Sequence, residues 1–94
     1  MGYVPSAITV SNVYAVIVGT GTPSCTIEPA HGTSRAAVTN HILANATAIT
    51  GTTSGTSITA FDDPTIPAGS WLALTTTAVT TCTQVTCTVK YTVD

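Results

Sequence analysis

The sequence predicts an all-β domain, an antiparallel β-sandwich of jelly-roll-like layout with about six to eight short strands. Three observations carry that prediction. Threonine fills 22 of the 94 positions, more than valine, isoleucine and leucine together, and β-branched side chains favour the pleated geometry of a strand. Glycine, proline, serine and asparagine punctuate the chain at short intervals, the rhythm of strands joined by turns. From Val85 to Val93, apolar Val85, Cys87, Val89, Tyr91 and Val93 alternate with Thr86, Thr88, Lys90 and Thr92, an unbroken period of two.

Residues 1–7 read as an extended N-terminal arm, because Pro5 keeps the residue before it out of helical space. Residues 8–94 then form a single sandwich domain, the chain being too short for two. The first strand is expected from Ile8 to Val18. It opens with Ile8 and Val10 alternating with Thr9 and Ser11, then turns continuously apolar from Val13 to Val18. Such a run is expected to be covered on both faces, by the rest of the domain or by a neighbouring subunit. Gly19, Gly21 and Pro23 end it in a turn, and Pro29-Ala30-His31-Gly32 reads as a second turn.

Between Ser34 and Ala48, Arg35, Val38, Ile42 and Ala46 would share one helical face. No capping or charge pair supports a helix there, so strand with a short irregular piece is expected. Strands follow at Ala48 to Thr53 and at Thr56 to Phe61, parted by a Ser54-Gly55 turn. Asp62-Asp63-Pro64 breaks the chain, and Ile66-Pro67-Ala68-Gly69 leads into a strand that begins at Ser70 and carries Trp71, Leu72 and Leu74. The final alternating strand points Cys87 into the core and leaves Cys82 at or near a turn.

Composition excludes several functions. Only Arg35 and Lys90 are basic, too few to neutralise a run of phosphates or to dock on an anionic lipid surface. Nucleic acid and membrane are therefore not expected as partners. The longest apolar run, Val13 to Val18, is far short of a membrane span. Charged residues are 6% of the chain and the net charge is −2, although free domains stay apart through surface charge. This composition suits a domain packed against copies of itself or a larger partner. The start, Met1 to Ser6, lacks the basic and apolar regions of a secretory signal, so none is expected. Gly2 and Ser6 satisfy a myristoylation pattern, but no second membrane signal follows. The Asn45-Ala46-Thr47 sequon would matter only in a secretory pathway.

Candidate chemistry is sparse. His31, after Pro-Ala and before Gly, reads as a solvated turn histidine, and His41 reads as an ordinary strand residue. Asp62 and Asp63 form the only acidic pair; a turn is favoured over a cation site, because few further oxygen ligands follow. Cys25, Cys82 and Cys87 are odd in number, so buried thiols are expected ahead of one disulfide or a metal site. No nucleophile elbow or phosphate loop occurs. The expectation is no catalytic residue, no cofactor and no metal: not an enzyme. Trp71 is expected in the core or at a subunit interface, with a stacking platform as the alternative. Two Thr-Cys-Thr triplets, at 81–83 and 86–88, superficially resemble insect β-helical antifreeze repeats, but the fixed rung period of an ice-binding face is absent.

The run Phe61-Asp62-Asp63-Pro64-Thr65-Ile66-Pro67-Ala68-Gly69-Ser70-Trp71-Leu72, followed by alternating Val85-Thr86-Cys87-Thr88-Val89-Lys90-Tyr91-Thr92, resembles the C-terminal half of small β-sandwich structural proteins of tailed bacteriophages. The segments from Ala15 to Glu28 and from Ile42 to Gly55 fit that layout more loosely. The chain departs from the pattern in its three cysteines and its near-absence of charge. The resemblance implies a non-enzymatic virion protein, commonly a homotrimer. The expected role is capsid decoration (cement), stabilising the head from the capsid surface by binding across subunits of the major capsid protein. A receptor- or carbohydrate-binding module of a tail fibre or spike is the alternative, and an ice-binding protein a remote one. The residues expected at a subunit or capsid interface are Tyr3, Val4, Pro5, Tyr14 and Trp71.

Overall fold

The computed structural model describes residues 2–94. These form seven strands and no helix: β1 (Gly2–Val4), β2 (Ile8–Gly32), β3 (Asn40–His41), β4 (Thr47–Ile49), β5 (Thr56–Ile58), β6 (Thr65–Ile66) and β7 (Ser70–Val93). All pairings are antiparallel and all strands belong to one sheet, which curls into a half-barrel.

Two of the strands are not short. β2 runs for 25 residues and β7 for 24, and they pair along almost their whole length, from Ile8↔Val93 to Gly32↔Trp71. The turns expected at Gly19–Pro23 and at Pro29–Gly32 are therefore corrected, since both stretches lie within β2. At the first, the ladder breaks after Gly19↔Cys82 and resumes at Ser24↔Thr80, so Thr20–Pro23 bulge out against Thr81 alone. Gly21 takes φ 66°, and Thr81 and Ala78 take φ 47° and 49°, which bend the ribbon without ending it. The Thr81 hydroxyl donates to the Thr20 carbonyl at 2.7 Å and holds the bend closed. At the second, Pro29 lies opposite Leu74, in the gap between the rungs of β4 and β3. No ladder bond there needs the missing N–H.

The buried face of β2 follows the pleat. Ile8 and Val10 are buried, then Val13, Ala15 and Ile17, then Cys25 and Ile27. The shift from even to odd positions comes from a bulge between Val10 and Asn12, where one extra residue returns the following side chains to the same face. The short strands and their flanks complete the cover: Ile49 on β4, Ile66 on β6 and Ile42 just after β3 are each fully buried. β4 pairs with Cys25–Ile27 and β5 with Val13–Ala15, so the two straddle the bend of β2.

The run from Val13 to Val18 is covered on one face only within the chain. Tyr14 and Val18 are exposed on the other, with Val16 half-buried between them. The segment from Ser34 to Ala48 is irregular, with a turn closed by Ala37 N–H to the Ser34 carbonyl, then β3 and the buried Ile42. The strands expected at 48–53 and 56–61 contract to β4 and β5, with Phe61 bridged singly to Leu43.

Candidate functional site

The arm is ordered by pairing. Gly2, Tyr3 and Val4 lie opposite Leu72, Trp71 and Ser70, and the Gly69 N–H donates to the Val4 carbonyl at 2.8 Å. Met1 lies outside the described residues. Because Tyr3 and Trp71 are register partners, their side chains share a face, and the rings meet edge-to-face at 5.0 Å and 60°. The Arg35 guanidinium carbon sits 5.8 Å from the Trp71 ring centre, within cation–π range. Val4 turns inward and is buried, whereas Tyr3 and Pro5 are exposed and Trp71 is half-buried. Four of the five expected interface residues thus gather at one corner. Tyr14 does not join them; it lies on the outer face of β2, opposite Ser57 and Thr88.

Beside this corner the half-barrel is open. The outer edge of β7 is paired only at Ser70–Leu72, by β1, and its remaining residues have no strand on that side among the described residues. Ser70 is the one buried residue of β7. Val85, Cys87 and Val89 are half-buried against the core, while Tyr91 and Val93 are 53% and 66% exposed. One groove of about 320 Å³ runs between the arm and the end of β7, lined by Val4, Ile8, Leu72, Val89, Tyr91 and Val93. A second, about 330 Å³, lies between the two halves of the bent strand, where Leu72 and Leu74 face Val85, Cys87 and Val89. Apolar edge, apolar grooves and a projecting aromatic pair form a surface suited to taking up an extended chain.

Both histidines, Glu28, Asp62 and Asp63 gather at the far end of β2. His31 is buried within the strand, which corrects the expected solvated turn. Its Nε2 lies 3.1 Å from the Asp63 carbonyl and 3.4 Å from the Asp63 carboxylate. His41 is exposed, with Nε2 2.7 Å from the Glu28 carboxylate. Asp62 and Asp63 bend the chain as expected, their N–H groups donating to the carbonyls of Ile42 and His41. The Ser70 hydroxyl and His31 Nδ1 are buried without a hydrogen-bond partner among the described residues. Sequence reasoning missed this pairing because the sequence around His31 resembles a turn.

Cys25 is buried, and Cys82 and Cys87 are half-buried, all three as free thiols. Burial, reinforced by the neighbouring Cys82 thiol, raises the Cys25 pKa above the ordinary 9.0, and burial raises that of Cys87. Above the ordinary value the unfolded thiols ionise while the folded ones keep their protons, so the unfolded state binds fewer protons and stability falls with pH. Unfolding free energy measured in urea is expected to drop between about pH 8 and about pH 10. The drop should shrink in Cys25→Ala; an equal drop in that variant would place its origin elsewhere.

No family model, no curated protein and no solved structure matches this chain.

Proposed function

We propose that the chain is a non-enzymatic structural subunit that works docked to other subunits, and specifically a capsid decoration protein on the head of a tailed bacteriophage. Its partners on this reading are further copies of itself and the major capsid protein, and its place is the capsid surface. The observation that carries the reading is the open half-barrel: an uncovered β7 edge beside an ordered arm that presents Tyr3, Pro5 and Trp71. An extended segment of a shell subunit laid along the outer edge of β1, which has no strand beyond it among the described residues, would be bound through backbone hydrogen bonds and would leave the β7 edge to a further copy of the chain. With only 6% charged residues, neighbouring copies would repel one another little. His31 and Ser70 fit a non-catalytic role, since both are buried from solvent. The same reading takes the two halves of the bent β2–β7 ribbon as the two layers of a jelly-roll-like sandwich, because Leu72 and Leu74 face Val85 and Val89 across one groove.

The test is protein mass spectrometry of purified particles made from the genome that encodes the chain. A copy number comparable with that of the major capsid protein supports decoration. A handful of copies per particle would transfer the role to a fibre or spike module, and absence from particles would overturn the virion reading.

A further inference from the structure

We propose that two copies of this chain pair through the free edge of β7, antiparallel about a twofold axis at Val89, and continue the sheet from one half-barrel into the other. The inference goes beyond the decoration reading and stands without it. It replaces the trimer implied by the bacteriophage resemblance with a dimer.

The argument starts from the edge itself. A long strand whose outer N–H and C=O groups have no partner is a template for another strand, and proteins usually blunt such edges with charge, proline or short length. From Cys82 to Val93 this edge has one lysine and no proline, and it is unpaired among the described residues. Its inward face, Val85, Cys87, Val89, Tyr91 and Val93, becomes more exposed toward the end of the chain, reaching 66% at Val93.

The register follows from period and charge. Side chains alternate with a period of two, so only pairings that set odd positions opposite odd ones keep the apolar face continuous. Among these, an axis at Val89 maps the apolar set onto itself: Val85 faces Val93, Cys87 faces Tyr91, and Val89 faces its own copy. On the outer face the same register sets Lys90 opposite Thr88 and Thr86 opposite Thr92. Moving the axis to Lys90 would set two lysines face to face, which directly opposed positions disfavour. A contact that is its own complement closes at two copies, as isologous interfaces do. No like charges meet, and the second copy covers the exposed Tyr91 and Val93.

Light scattering of the full chain at about 0.1 mM is expected to give twice the 9.5 kDa chain mass. Thr88→Lys, at an exposed position whose side chain the fold does not need, sets lysine against Lys90 twice per dimer and is expected to return the mass to one chain. The register is read by crosslinking in a Cys82→Ser/Cys87→Ser background. Val85→Cys mixed with Val93→Cys is expected to form a disulfide-linked pair on oxidation, and neither variant alone should do so. A wild-type chain of single mass would overturn the proposal. So would a trimer indifferent to Thr88→Lys, or crosslinking of Val85→Cys to itself.

Discussion

Ile27→Ala is expected to destabilise the domain by about 2–5 kcal/mol. Ile27 is fully buried where three parts of the fold meet: it is the register partner of Thr47 on β4 and of Thr76 on β7, and it belongs to the central cluster. Truncation removes the transfer free energy of the lost methylenes and leaves a cavity that a sheet clamped on both sides cannot close. Domains of this size hold about 5–15 kcal/mol in all, so the loss is a large share of the total. The urea midpoint should fall steeply, with the slope unchanged. Val18→Ala is the comparison, because Val18 is 54% exposed and such a site should change stability by about 0.5 kcal/mol or less. Equal losses at the two sites would mean that the buried face of β2 has been misassigned.

Gly32→Ala is expected to be the second large effect, and its origin is steric rather than hydrophobic. A Cβ at Gly32 would collide with the Ala37 carbonyl oxygen and lie 2.9 Å from the Val38 Cα. These are backbone atoms, which cannot swing aside as a side-chain tip can. Either the 33–38 strap lifts or β2 gives way at its last rung, Gly32↔Trp71. Overpacking of this kind costs about 1–3 kcal/mol. The strap carries Arg35 over the Trp71 ring, so thermal unfolding and tryptophan emission should shift together. Gly2→Ala, with nothing within 4 Å of its new Cβ, should leave both unchanged. A silent Gly32→Ala would show that the strap yields freely.

The class of the fold was legible because it rests on local properties. β-Branched composition and the period of two from Val85 to Val93 are facts about neighbouring residues, and both led to antiparallel strands. What stayed hidden was continuity. In β2 the turn residues Gly19, Gly21 and Pro23 part Ile17 from Cys25 and Ile27, and in β7 the apolar positions pass from even Leu72 and Leu74 to odd Val85, Cys87 and Val89. A strand interrupted by turn residues or by a change of phase reads as two strands, since nothing local says that the ladder resumes. Pro29 and Gly32 misled for the opposite reason. Their turn chemistry is real, but β3 and β4 leave an unpaired stretch where a proline fits. The site was legible in part. Tyr3 and Trp71 stood out as rare aromatics in a chain with 5% aromatic residues, yet their contact depends on the register of β1 with β7. Tyr14 was equally prominent and faces elsewhere. The His31–Asp63 pair joins residues that only the closed fold brings together.

The pairing of β2 with β7 also sets the order in which the molecule can be built. β2 is synthesised well before its partner β7, so that Thr9 meets Asp94, 85 positions away. The rung Gly32↔Trp71 closes the smallest loop of the ribbon and Ile8↔Val93 the largest, and loop-closure entropy favours the smaller first. Zipping therefore proceeds from the arm-and-tryptophan corner, round the bend at Thr81, toward the chain ends. Until the 85–93 stretch of β7 arrives, Ile8, Val10, Val13 and Ile17 have no long strand beside them. Topology of this kind places folding among the slower small domains, on a scale of about milliseconds to seconds. The half of β7 that docks last is also the half whose outer edge stays open to a neighbour.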